Sequence, residues 1–138
     1  MEKKQPGYWL VGATWGGRDD ALPVFLMRGY WYCWDLNEVA AEDGGRGNSI
    51  SVQQGRFREI RRGDRVAVKK MLGQGAKNMA ILAVGTVKDV DLDEWRVYVD
   101  WVLDLREQER HVPLGGCTAS IHGPYEAGDP WVHQVFCL

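Results

Sequence analysis

Three tryptophans, Trp15, Trp31 and Trp34, lie within a span of twenty residues. Gly16 and Gly17 follow Trp15 directly, and residues without side chains let a ligand come close to the backbone. An indole face stacks on a planar base with roughly 1–3 kcal/mol. Two or three such faces make a slot for a base flipped out of its stack, with room for a methyl group. Trp15, Trp31 and Trp34 are therefore candidate walls of an aromatic cage. Packing in the core is the competing use of an indole, and it is the preferred reading for Trp9, Trp95 and Trp101, which sit on apolar strand faces. Trp15, beside two glycines and near Asp19 and Asp20, reads as a site residue.

The residues that could do covalent or metal chemistry do not assemble into a motif. His111, His122 and His133 are scattered, with no HxxxH or HExxH spacing, and read as surface or structural histidines. Ser49 and Ser51 lack a nucleophile-elbow context. Cys33 sits among aromatics and reads as packing. Asp89, Asp91, Asp93 and Glu94 resemble a cation ligand set, but a solvated charge run at a hairpin turn is the preferred reading. GQGAKN (73–78) lacks the glycine spacing and the following Ser or Thr of a phosphate loop and reads as a hairpin loop. The pattern points to a binding module rather than an enzyme, with no metal and no cofactor.

Charge adds a second clue. The formal net charge is −2, yet the charges are segregated. Residues 56–77 carry Arg56, Arg58, Arg61, Arg62, Arg65, Lys69, Lys70 and Lys77 against Glu59 and Asp64, while residues 88–109 carry eight acids against Lys88, Arg96 and Arg106. A basic segment on a mildly acidic domain could be a phosphate-facing surface, but from charge alone a solvated helix-loop face is the preferred reading. If nucleic acid is the ligand, Arg61, Arg62, Lys69 and Lys70 are the candidate phosphate contacts, and they must share a face with the pocket. Cys33, Cys117 and Cys137 are odd in number and widely spaced, which fits a reducing compartment. No signal peptide and no membrane-spanning run is visible, so a cytoplasmic location is expected.

The elements that must position these residues are mostly strands. The 138 residues suggest a single domain over 1–138. YWLVGAT (8–14) reads as a first strand. A short helix at about 20–28 follows, with Pro23 in its first turn and Gly29 as its stop. YWYCWD (30–35) is a short strand or loop, and 40–49 a loop. RFREIRR (56–62) suggests a helical turn ending at Gly63. RVAVKKM (65–71) and MAILAVGTVKDV (79–90) read as strands, the second apolar on both faces and so central. EWRVYVDWVLDL (94–105) alternates, with Trp95, Val97, Val99, Trp101, Leu103 and Leu105 on one face and Arg96, Tyr98, Asp100 and Asp104 on the other. WVHQVF (131–136) is left open between helix and strand. The expectation is an α+β, mainly β domain, a curved barrel with short helices packed around it.

YWLVGATWGG (8–17), GYWYCWD (29–35), IRRGDRVAVKK (60–70), AVGTVKDV (83–90) and VYVDW (97–101), taken together, resemble EVE-type domains of the PUA-like superfold. These are relatives of YTH domains and of the N-terminal domains of McrB-type restriction ATPases. The likeness runs over about residues 8–136. It implies a PUA-like curved β-barrel that reads modified bases, such as N6-methyladenine or methylated cytosines, in an aromatic cage. By position it implies cage walls from Trp15, Trp31 and Trp34, polar contacts to the base edge from Asn48 and Ser49, and Lys69 turned toward the pocket or the phosphates. The segment 36–55 carries no motif that aligns. The function implied is a non-catalytic reader of modified DNA or RNA, a sensor or specificity module in restriction or phage defence. Since no ATPase or nuclease follows, a separate effector protein would act downstream. The alternatives are a PUA-like RNA-binding domain without modification specificity, and an adaptor for a small molecule or a protein.

Overall fold

The computed structural model describes residues 5–15, 19–32, 50–72, 75–114 and 121–136. Their order is β1 (Tyr8–Gly12), β2 (Thr14–Trp15), β3 (Asp19–Asp20), α1 (Leu22–Arg28), β4 (Tyr30–Tyr32), α2 (Ile50–Phe57), β5 (Arg65–Met71), β6 (Asn78–Asp91), β7 (Arg96–Asp104), β8 (Arg110–Pro113), β9 (Ile121–Tyr125) and α3 (Pro130–Phe136). A seven-stranded sheet runs β4-β7-β6-β5-β1-β9, with β8 on β6 beside the start of that long strand. β1 and β5 are parallel; every other pair in this sheet is antiparallel. The sheet curls into a half-barrel, so the mainly β, α+β architecture with short helices expected from the sequence is the one found.

The strands are apolar on both faces because both faces are covered. Trp9, Val11, Val66, Val68 and Val87 pack with Leu22 and Phe25 of α1 and Phe57 of α2. Tyr8, Leu10, Ala67, Met79 and Ile81 pack with Val132, Val135 and Phe136 of α3. α1 follows its sequence signals: Pro23 lies in the first turn, and Gly29, with φ 75°, supplies the left-handed stop. Among the described residues no helix is long and apolar enough to cross a membrane.

Two local expectations need correction, and one segment left open is resolved. The helix near the basic run is Ile50–Phe57, ahead of the expected turn at 56–62; the Arg58 N–H still reaches the Gln54 carbonyl, and short turn bonds follow, from the Glu59 N–H to the Arg56 carbonyl, from the Ile60 N–H to the Phe57 carbonyl and from the Asp64 N–H to the Arg61 carbonyl. The alternation of 94–105 holds only in part. Trp95 lies in the turn before β7, with φ 52°. Val97 and Val99 are buried, but Leu103 is exposed and Leu105 packs on the opposite core. The cause is an irregular register: Gly85 faces Trp101 and Val84 faces Leu103, which leaves Val102 as an extra residue and shifts the alternation. The open segment 131–136 is a helix. Asp129 accepts the Trp131 N–H at its side chain (2.9 Å), and Pro130 takes the first helical position.

Candidate nucleic-acid interface

Trp31 lies at the centre of β4 and has no exposed surface. Its Nε1 donates to the Gly12 carbonyl at 2.7 Å, and its ring stacks on Phe57 at 6.2 Å between centroids. Trp9 donates to Asp64 Oδ2 at 2.9 Å, Trp101 to the Phe25 carbonyl at 2.9 Å and Trp131 to the Pro113 carbonyl at 2.8 Å. Trp95 is buried, edge-on to Phe57 at 5.3 Å and beneath the Arg58 guanidinium at 5.2 Å. These five indoles act as struts, each with its ring in or against the core, and four of them fix a distant backbone or carboxylate through the N–H. Trp31 is thus a structural residue of the core and not an open cage wall. The backbone of Trp15 lies in β2, opposite Asp19 of β3, and its strand leaves the end of β1 that Trp31 anchors. Trp34, Asn48 and Ser49 lie outside the described residues.

The expected phosphate contacts separate into two groups, at opposite ends of β5. Arg65 opens the strand, and Lys69 and Lys70 come near its close, so about 13 Å of strand separates Arg65 from Lys69. At the opening end, Arg61 and Arg62 are exposed and, with Arg65, border a concavity of about 760 Å³ that also takes in Gly7, Glu59 and Gly63. The architecture beneath depends on Asp64. Its buried carboxylate accepts the Gly7 N–H (3.0 Å), the Arg61 N–H (3.0 Å) and the Trp9 indole N–H (2.9 Å), pinning the arginine-bearing turn to β1. Arg62 also approaches Asp89 at 3.9 Å, an exposed pair that contributes little.

At the closing end, Lys69 lies opposite Gly12 in the parallel pair and is 6% exposed, whereas Lys70 is exposed. β9 flanks the other edge of β1, with His122 opposite Leu10. Burial, then the nearby positive charges of Arg56 and Lys69, push the His122 imidazole down from 6.5 to about 4, so it is neutral at neutral pH. α2 closes the edge strand: Gln53 Oε1 accepts the Ile121 N–H at 2.7 Å, and Arg56 Nη1 donates to the Ile121 carbonyl at 2.6 Å. Neither Gln53 nor Arg56 stands out as a site residue in the sequence; their spacing of three on one helix face is the only signal that pairs them.

The acidic run at the β6–β7 turn serves the turn itself. Asp91 Oδ1 accepts the N–H groups of Asp93 (3.0 Å) and Glu94 (3.1 Å). Among the described residues no cluster of His, Cys, Asp or Glu is arranged to hold a metal ion. Comparison with protein-family models gives no match, and neither does comparison with curated proteins.

Proposed function

We propose that this chain is a non-catalytic nucleic-acid-binding domain that reads a modified, methylated base of DNA or RNA against Trp15 and Trp34. It would serve as a specificity or sensor module, as in restriction or phage defence, for a separate ATPase or nuclease. The observation that carries this reading is the construction around Gly12. Its carbonyl is held by the buried Trp31, its register partner is the buried Lys69, and the strand bearing Trp15 starts two residues later. An aromatic residue and a cation thus belong to one braced strand end, as recognition of a flipped nucleotide requires. Arg61, Arg62 and Arg65, at the far end of β5, would meet the flanking chain and add affinity without sequence preference. The resemblance to EVE-type domains points the same way.

Burying one added methyl group contributes roughly 0.8 kcal/mol, equivalent to about fourfold in affinity. Larger discrimination requires the base edge to be read as well, by Asn48 and Ser49 in this reading. The test is fluorescence anisotropy with paired oligonucleotides that differ by one methyl group on adenine or cytosine. Trp15→Ala and Trp34→Ala should abolish the preference while leaving thermal stability near wild type. Trp31→Ala should instead cost about 3–5 kcal/mol of stability. A preference that survives both Trp15→Ala and Trp34→Ala removes the cage. Binding of a small molecule or a protein, with none of oligonucleotides, favours the adaptor.

A further inference from the structure

The concavity at the opening end of β5 gathers charges of both signs. Arg61, Arg62, Arg65 and Glu59 border one hollow of about 760 Å³, a volume that suits a ligand of nucleotide size. Its frame is braced. Asp64 holds the Gly7 N–H (3.0 Å), and the Arg65 N–H donates to the Gly7 carbonyl (2.9 Å). Gly7 lies tight against β9, because a Cβ at position 7 would stand 3.1 Å from the Pro124 Cβ. Pro6 and Pro124 thereby add an apolar wall beside the arginine-bearing turn. Gly63 completes the lining with φ 92°, and a Cβ there would meet nothing within 4 Å, so the backbone of the turn is open to a ligand. Three guanidinium groups border this hollow, yet among the described residues the exposed Glu59 carboxylate forms no ion pair or hydrogen bond with any of them. The Arg61 guanidinium is likewise unpaired among the described residues, and Arg65 uses one N–H on the Gly63 carbonyl and keeps the rest of its fork.

We propose that this concavity is a ribonucleotide site, in which Arg61 and Arg65 hold a phosphate and Glu59 accepts the ribose 2′-hydroxyl. Arginine forks match phosphate oxygens. A carboxylate only accepts and repels phosphate, so what it adds to such a site is a partner for a donor. The ribose 2′-hydroxyl is that donor, and deoxyribose lacks it. The sugar lies against Pro6 and Pro124, while Arg62, drawn toward Asp89 at 3.9 Å, stays at the rim. Nothing in this site reads a base, which agrees with contacts that add affinity without sequence preference. The site deepens the reader proposed above by making its strand RNA. It rests on that reading only for the polymer as source of the ribonucleotide, and not on the aromatic cage.

Two pairs of probes differ by the 2′-hydroxyl. One pair is a single-stranded RNA and DNA of the same unmodified sequence, free of uracil and thymine. The other is adenosine 5′-monophosphate and its 2′-deoxy form, which separates a free nucleotide from a polymer as the source. Isothermal titration calorimetry should show the wild type binding the ribose member of at least one pair about tenfold more tightly. Glu59→Ala should bring that ratio close to one. Arg61→Met keeps the backbone N–H that Asp64 holds, and it should weaken both members alike with the ratio unchanged. No binding of any probe, no ribose preference, or a preference that survives Glu59→Ala overturns the site. If the ribose preference behaves as expected but methylated and unmethylated oligonucleotides bind equally, the site stands and the base reader falls. If a methyl preference is found while RNA and DNA bind equally, the reader stands and the site falls. If only the mononucleotides bind, with the expected ratio, the site stands as one for a free ribonucleotide and the nucleic-acid reading falls.

Discussion

A tryptophan's role turns on where its N–H goes. Trp15 and Trp31 look alike in sequence, each in an aromatic, glycine-punctuated stretch, yet Trp31 is sealed in the core with its N–H on the Gly12 carbonyl. That bond spans 19 residues of chain and leaves no local trace. The same is true of Asp64, whose three N–H partners come from Gly7, Trp9 and Arg61; only the last is local. His122 carries the clearest titration consequence. The unfolded chain takes up its proton near 6.5, but the folded chain refuses it until about 4. The unfolded state therefore binds more protons in that window, and stability falls as pH drops through it while staying flat above it. Urea unfolding at pH 7 and pH 5 should show wild type losing more stability than His122→Gln. Equal losses would mean that His122 titrates normally in the folded chain.

Elements are legible where local pattern decides them. The strand at 65–71 carries its own signature of β-branched residues, and α1 is bracketed by Pro23 and Gly29. α2 is hard to place from sequence because Gly55 and two glutamines blur its amphipathic stripe, and its real anchor is a clamp on Ile121. α3 has a readable start, Asp129-Pro130, in a stretch otherwise full of turn residues. β8 and β9 exist because β6 and β1 offer edges to pair with, which no window of their own sequence reveals. The irregular register at Gly85 is an element-scale device too. A Cβ there would lie 2.5 Å from Val99 Cγ1 and 2.8 Å from the Asp100 carbonyl, so only glycine lets β6 and β7 approach this closely. Gly85→Ala should destabilise by about 1–3 kcal/mol, read as a lower urea midpoint at unchanged m-value. A neutral substitution would mean that β7 shifts freely at Val102.

Over the whole molecule, the fold class follows from the succession of strand-like segments, whereas the layout of charge does not. The basic run 56–77 looks continuous in sequence, but helix, turn and extended strand distribute it: Arg58 over Trp95, Arg61, Arg62 and Arg65 at one end of β5, Lys69 and Lys70 at the other. A strand advances about 3.3 Å per residue, so neighbours in sequence become separate surfaces. If both surfaces meet a polyanion, the double reversal Arg61→Glu with Arg62→Glu should weaken binding to every oligonucleotide alike. It should also flatten the slope of log affinity against log salt by about 1–2, while leaving any methyl preference intact. An unchanged slope would assign these arginines to a solvated face. The central claim, recognition of a modified base, is tested most directly by wild-type affinity across oligonucleotides of one sequence that differ only in a single base: adenine, N6-methyladenine, cytosine or 5-methylcytosine, in DNA and in RNA. A base reader should bind one methylated member of the panel more tightly than its unmethylated counterpart, by about fourfold or more. Equal affinity for all members, or binding to none, contradicts it.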